Sequence, residues 1–557
     1  MTVNFGIGVD DFAEIIKLKA TYIDKTLLIK ALIQDFSSVI LFPRPRRFGK
    51  TLALSMLKYF LDIRAQDEDR NLFENLNISQ YPDILLKHQN QYPVIFISLK
   101  EIKKNNLKDA MDGIRALVRK LFVAHQDLRG FIQSDYPAYL GPFDQLSQGN
   151  SNEAELAQSL QFLSELLEKK YKKKTWILID EYDTPIHAAW EFKFYDQMKM
   201  FMQGFLGAAL KSNTSLYKGV LTGILRVSQE GMFSDLNNVT VYSMLSDFYS
   251  AYFGFTESEV DWICQEAELS NQREQVRNWY NGYKFGELNI YNPWSIINFA
   301  KNKKLGPYWV NTGSSQIIED LISQAGPELK KDFEVLIQGG VIKKPIDEKI
   351  VLPKINAHAE NAVWSFLLFA GYLKIVRIDH ESETGECEIA LPNIEITRVY
   401  QRYFLSWFES TSPALSNQML KALITGDIKT FEKIFQDYVE KTLSYFDVEK
   451  GKAESFYHAL VLGMIVALRD THQILSNRES GFGRYDLMII PKDVLKPGII
   501  LEFKVADSEK SMSKDAKLAL AQIHSQNYQA ELEARGIKKI LKIAIVFFGK
   551  KILIKHV

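Results

Sequence analysis

"LFPRPRRFGKTLALSMLKYF", Leu41 to Phe60, decides how the first half of the chain is read. It ends a short β-rich run, Ser37–Phe42, and opens a stretch with apolar residues at helical spacing. Between the two stands Gly49-Lys50-Thr51. The phosphate-binding pattern G-x-x-x-x-G-K-[ST] puts its first glycine at position 44, where this chain has Arg44. Arg44 lacks glycine's freedom at positive φ, and Pro43 and Pro45 restrict the same turn. The loop must therefore enter differently. The other parts fit. Gly49 lets backbone approach a phosphate, Lys50 is placed to reach β- and γ-phosphates, and Thr51 to hold Mg2+. The helix that follows turns its first amides toward an anion.

A second stretch points the same way. "KKKTWILIDEYDTPI", Lys172–Ile186, is an apolar strand ending in Asp180-Glu181. Such an end lies at the carboxyl edge of a parallel sheet, where ligands bind. Asp180 is expected at the Mg2+ ion and Glu181 as general base toward the attacking water. "YPVIFISL" (Tyr92–Leu99) reads as a strand between them, and "YKGVLTGIL" (Tyr217–Leu225) as one beyond. Thr222 on the latter is a candidate γ-phosphate sensor. Arg46, Arg47 and Arg226 are unranked candidates for a cation at the phosphates, in the same or a neighbouring subunit. These features predict a parallel-sheet P-loop NTPase core that binds ATP and Mg2+.

Near the other end, "SGFGRYDLMIIPKDVLKPGIILEFKVA" (Ser480–Ala506) shows two strands, Tyr485–Ile490 and Gly498–Val505. The polar, proline-bearing "PKDVLKP" separates them. Paired as an antiparallel hairpin centred on Val494, they put Ile490 opposite Gly498 and Asp486 opposite Glu502. Opposed side chains lie about 5 Å apart at Cβ. Two carboxylates so placed repel unless a cation sits between them, and a divalent metal on oxygen ligands is the natural one. Alternation puts Lys504 on the face of Glu502 and Phe503 on the other. Lys504 is then placed to orient water or steady negative charge.

The residues carry two resemblances. "RPRRFGKT", "LIDEYDTPI", "LTGILRVSQEGMFSDLNN", "WYNGYKFG" with "IYNPWSI", and "YWVNTG" resemble the AAA-ATPase-like family of bacterial proteins over about the first 300 residues. The opening "GIGVDDFAEI" and "YIDKTLLIKALI" agree. An arginine commonly stands there where Arg44 stands, so the resemblance implies a variant loop rather than a decayed one. Residues 445–557, with the Asp486, Glu502 and Lys504 constellation, resemble the PD-(D/E)XK nuclease superfamily. That resemblance implies Glu454 as an accessory acid on a first core helix (Glu454–Leu468) and Gln522 with Tyr528 as a Q-x5-Y helix motif. "GIKKILKIAIVFFGKKILI" would supply a closing strand pair.

Between these ends, Thr256 is placed to cap a helix with Glu259 three residues on. Residues 256–335 read as a helical lid, with Asn281-Gly282 a turn signal. Residues 336–410 read as a winged-helix-like helix and hairpin, and 411–444 as a helical connector. The expected fold class is thus a multidomain α/β chain: P-loop core (1–255), lid, winged-helix-like middle, connector and nuclease-like domain (445–557). Lys+Arg and Asp+Glu both number 68, so no global field attracts nucleic acid and any such surface is local. The two cysteines, Cys264 and Cys387, exclude a disulfide framework. No apolar run approaches the roughly 18 residues of a membrane span, and the start lacks a secretory pattern. The expectation is a cytoplasmic ATPase joined to a metal-dependent nuclease acting on nucleic acid, DNA first, with Mn2+ able to replace Mg2+ at the second site. Assembly of several copies is compatible with this, and no membrane is involved. Two rivals are a nucleotide-controlled switch whose C-terminal part binds without cutting, and a host-directed effector.

Overall fold

The computed structural model describes the chain except residues 1–2, 66, 227–237, 310–326, 338, 349–359, 380–384, 401–412, 443–460, 462–464, 466–467, 469–470 and 481–482. It divides into two compact units, Met1–Ser314 with Val341–Thr397, and Ser315–Gly340 with Arg398–Val557. The five segments expected from the sequence are a finer division than this.

The first unit is built on a five-stranded sheet: β1 (Val39–Pro43), β2 (Val94–Ser98), β3 (Thr175–Asp180), β4 (Leu216–Gly223) and β5 (Val239–Val241), in the order β2-β3-β4-β1-β5. Every pairing is parallel. β1 and β3 are buried along their whole length. That is why they read as unbroken apolar runs: crossover helices cover both faces of a parallel sheet. Strand β4 lies between β1 and β3. Ser98 pairs with Asp180 and Phe42 with Thr222, so the carboxyl ends of β2, β3, β4 and β1 lie side by side. Helix α1 (Lys50–Leu61) leaves the loop after β1, and α2 (Thr184–Glu191) follows β3.

The segment after the core is helical only in part. It runs β6 (Phe255–Thr256), α3 (Glu257–Glu266), α4 (Arg273–Tyr280), β7 (Tyr283–Phe285), β8 (Leu288–Tyr291) and α5 (Pro293–Asn302). Its strands form a small antiparallel sheet in the order β6-β8-β7, so the segment expected as a helical lid carries strands beside its helices. The capping box on α3 is present: Glu259 N donates to Thr256 Oγ1 at 3.4 Å and Thr256 N to Glu259 Oε2 at 2.8 Å. Asn281-Gly282 is not the hairpin turn, which runs through Gly286-Glu287. Gly282 instead permits a close approach, since a Cβ there would lie 2.1 Å from Pro392 O. The unit closes with β9 (Ile342–Pro345), α6 (Glu360–Phe369), β10 (Lys374–Ile378) and β11 (Glu386–Ala390). The expected helix and hairpin are there, with β9 completing an antiparallel sheet in the order β10-β11-β9.

The second unit includes the helices α7 (Pro413–Thr425) and α8 (Ile428–Thr442). Its sheet is β12 (His472–Ser480), β13 (Gly483–Pro491), β14 (Gly498–Val505), β15 (Ile540–Phe548) and β16 (Lys551–His556), paired in chain order. β14 and β15 are parallel, with α9 (Met512–Ser525) as the crossover between them. The other pairings are antiparallel. One face, with Leu487, Leu501 and Phe503, shares a core with Leu423, Phe431 and Phe435 of α7 and α8. Met488, Ile490 and Ile500 alternate onto the other, against Ile523 and Tyr528. Glu502 shares that second face by alternation.

Candidate functional sites

The first site lies where the sheet's carboxyl ends meet the start of α1. Asp180 is fully buried and held by three hydroxyls. Thr51 Oγ1 and Ser98 Oγ donate to its Oδ2 at 2.9 and 3.1 Å, and Thr222 Oγ1 to its Oδ1 at 2.7 Å. Thr51, Asp180 and Thr222, three residues singled out in the sequence, are thus brought together. Lys50 is 5% exposed, and its Nζ donates to the carbonyls of Arg44 and Pro45, both at 2.9 Å. Burial lowers its pKa, and the charges of Glu181, Asp180 and Asp183 oppose that shift. Glu181 follows Asp180 in the left-handed region (φ 51), where its Oε2 accepts from Thr184 Oγ1 at 3.1 Å. Gly49 is left-handed too (φ 83), and a Cβ built on it meets nothing within 4 Å. Open space over the loop's last glycine is what a phosphate requires, so the residues present fit a nucleotide.

The arginines divide by position. Arg44 is fully buried, and its Nη1 donates to Pro43 O and Tyr242 O at 2.9 and 2.6 Å. Arg47 has φ 67 and sets its guanidinium 4.0 Å from the centre of the Trp294 ring. Arg46 is exposed. Arg226 pairs with Glu348 at 3.6 Å. Beside Gly49 opens a cavity of about 120 Å³ with Phe5, Ile23, Leu52, Phe255 and Ile297 in its wall.

The second site lies on the α9 face of the C-terminal sheet. The observed register, Leu487 with Leu501, Met488 with Ile500 and Ile489 with Ile499, is the one predicted. It sets Asp486 beside Glu502. Asp486 Oδ2 accepts from Phe503 N at 2.8 Å. Glu502 is 1% exposed, with Oε1 3.4 Å from Lys504 Nζ. Its Oε2 is buried with no hydrogen-bond partner among the described residues. Burial, and then the charge of Asp486, push the Glu502 pKa up to about 8, with Lys504 opposing. An orphaned carboxylate oxygen beside a second carboxylate is a donor set suited to a hard divalent cation. Among the described residues no group of three or more His, Cys, Asp or Glu side chains that could hold a metal ion gathers. Gln522 Nε2 reaches Tyr528 OH at 3.3 Å. The Tyr528 phenol is raised by burial first and by Glu502 and Asp486 as well, which places it in the same surroundings. Glu454 lies outside the described residues.

The sequence reading missed Ser98 and Asp183. Ser98 ends the strand next to β3, a position the apolar run before it could have flagged. Asp183 is buried, and its Oδ2 accepts from the amides of Ile224 and Leu225 at 2.8 and 2.9 Å and lies 3.2 Å from His187 Nε2. It ties the segment after β4 to the turn after β3.

Comparison with known proteins agrees with both halves. Residues 6–233 match the family described as Predicted AAA-ATPase, and residues 452–557 match the PD-(D/E)XK nuclease superfamily. The chain is thus similar to an AAA-ATPase-like family over its first part and to the PD-(D/E)XK nuclease superfamily over its last. It is also 23% identical over 546 residues to "Uncharacterized protein in vnfD 5'region" of Azotobacter chroococcum mcd 1, a match covering 95% of this chain and 94% of that protein. Among the described residues no helix is long and apolar enough to cross a membrane.

Proposed function

We propose that the chain is an ATP-binding and ATP-hydrolysing protein coupled to metal-dependent cleavage of phosphodiester bonds in nucleic acid, with DNA the first substrate to test. The observation that carries the cleavage reading is the orphaned, buried Glu502 Oε2 beside Asp486 and Lys504. Asp486 and Glu502 would hold Mg2+ or Mn2+, which when bound supplies an activated water and a Lewis acid at the scissile phosphate. Lys504 would orient that water, and Gln522 with Tyr528 would support the site's wall. In the first unit Lys50 would leave the Arg44 and Pro45 carbonyls for the phosphates, while Thr51 and Asp180 would take the Mg2+. Thr222 would report the γ-phosphate through Asp180, and Glu181 would take the proton of the attacking water. Arg46 and Arg47 are exposed cations at the same loop. The apolar cavity beside Gly49 would receive the base. The P-loop core, lid, middle segment, connector and nuclease-like domain serve as successive modules in this reading.

The test is cleavage of labelled single- and double-stranded DNA and RNA, with Mg2+ or Mn2+, with and without ATP. Wild type is run beside Asp486→Ala and Lys50→Ala. Metal-dependent cutting by wild type that Asp486→Ala abolishes supports the nuclease, and the Lys50→Ala lane shows whether ATP controls it. No cutting by folded, ATP-binding wild type would replace this reading with a nucleotide-controlled switch whose C-terminal domain only binds.

A further inference from the structure

The nucleotide loop is gripped from outside by residues far along the chain. Arg46 O accepts from Trp309 Nε1 at 3.1 Å and from Asn292 Nδ2 at 3.3 Å. Phe48 O accepts from Gly254 N at 3.1 Å. In a planar trans peptide the C=O and the following N–H point in opposite directions. Pinning these two carbonyls toward Trp309, Asn292 and Gly254 therefore turns the amides of Arg47 and Gly49 away from those residues. Those same two residues are left-handed, at φ 67 and 83. For Arg47 that conformation costs on the order of 1 kcal/mol or more and persists only where neighbours enforce it.

Both holders of Arg46 O are themselves set by one buried side chain. Glu395 is fully buried. Its Oε1 accepts from the backbone N of Trp309 at 2.7 Å, and its Oε2 from Ser295 Oγ at 2.8 Å. Ser295 stands in the first turn of α5, whose N-cap is Asn292, the other holder. Rings of Tyr372 and Tyr283 flank the Trp309 indole, at 5.1 and 6.4 Å between centroids. Glu395 thus reaches the loop by two routes, one through Trp309 and one through the start of α5.

We propose that Glu395 is a positioning residue of the nucleotide site. Acting through Trp309 and α5, it fixes the Arg46 carbonyl and so aims the Arg47 amide that a nucleotide phosphate meets. The proposal rests on the reading of the first site as an ATP site. The experiment is titration of the full chain with a fluorescent ATP analogue and Mg2+, with circular dichroism on each variant. Wild type and Lys50→Ala are compared with Glu395→Ala, Glu395→Gln, Trp309→Phe and the Glu395→Ala/Trp309→Phe pair.

Glu395→Ala and Trp309→Phe should each weaken binding about tenfold, the scale of one lost hydrogen bond to a fixed group. The pair should be no weaker than the worse single variant, because the Trp309 route lost in Trp309→Phe is already lost in Glu395→Ala. Glu395→Gln keeps an acceptor oxygen and should stay within about threefold of wild type. If Glu395→Ala does not fold, Trp309→Phe and Glu395→Gln decide. Wild-type affinity in folded Trp309→Phe overturns the proposal while leaving the ATP reading intact. So does strictly additive loss in the pair, or a Gln variant as weak as the Ala variant. Failure of wild type to bind, or Lys50→Ala binding as well as wild type, overturns the ATP reading itself and the proposal with it.

Discussion

Glu395→Gln makes a prediction about stability that is independent of any ligand. Burial is the dominant influence on Glu395, and it raises the carboxyl pKa to about 7 although Ser295 and the Trp309 and Tyr308 amides donate to it. An exposed glutamate titrates near 4.5. Between those values the folded state binds more protons than the unfolded state. The slope of unfolding free energy with pH is then negative, about 1.4 kcal/mol per unit at full difference. The stabilisation is fully present below about pH 4.5 and is lost as pH rises through about 7, a total of about 3 kcal/mol. Glutamine carries no proton to lose, so the variant lacks this decline. The assay is hydrogen exchange by mass spectrometry on peptides covering residues 293–302 and 391–397, at pH 5 and pH 8, corrected for intrinsic rates. The opening free energy of the variant relative to wild type should rise by about 2.5 kcal/mol from pH 5 to pH 8. Other titrating groups are common to both proteins and cancel. A difference that stays flat with pH, or that falls, would refute the assignment of Glu395 as a buried acid neutral below pH 7.

Two further outcomes follow from close contacts and from the metal. Gly254 has φ 82, and a Cβ there would lie 2.3 Å from Ile290 Cγ2 and 2.8 Å from Phe48 Cδ1; Gly254→Ala should lower the melting temperature of the first unit, costing about 2 kcal/mol or more. In calorimetric titration of metal-free protein, Mn2+ should bind the second site, and Asp486→Asn and Glu502→Gln should each remove that event; wild type at a hundred times its Kd should gain about 2.7 kcal/mol against unfolding.

How much of this was legible in the sequence depended on range. The hairpin register that joins Asp486 to Glu502 was readable because a short loop and two alternating strands fix it locally. The β3 end and the capping box of α3 were readable for the same reason. The small sheet β6-β8-β7 was not, because three short strands spread over some 37 residues leave no period long enough to see. Ser98 was findable only as a strand end, and Trp309 and Glu395 not at all as site residues, for a deeper reason. Each acquires its role from a neighbour in another part of the chain: Ser98 from Asp180, Trp309 from Arg46, Glu395 from Trp309. A lone Glu after "LPNI" carries no sign that it will be fully buried.

Arg44 shows how the loop departs from its pattern without losing its shape. Position 44 is absent from the residues with positive φ, whereas Arg47 and Gly49 are present. Left-handed backbone is thus needed late in the loop, and the glycine of the usual pattern has no conformational task at 44. The arginine has a packing task instead. Its guanidinium lies 5.2 and 5.0 Å from the centres of the Phe253 and Phe285 rings, and its backbone N donates to Gly223 O at 3.0 Å, joining the loop to the end of β4. Burial lowers its pKa to about 9, and Nε and Nη2 find no partner among the described residues. The charge is therefore held at a cost that the rings and two carbonyls only partly offset. Arg44→Gly would restore the consensus spelling, relieve that cost and leave a void between two aromatic rings. Large-to-small changes in a core cost about 2–5 kcal/mol, and the added glycine raises the entropy of the unfolded chain. The variant should melt earlier and bind ATP no more tightly than wild type, as read by thermal unfolding and nucleotide titration. A tenfold gain in affinity would mean that the arginine obstructs the site rather than braces it.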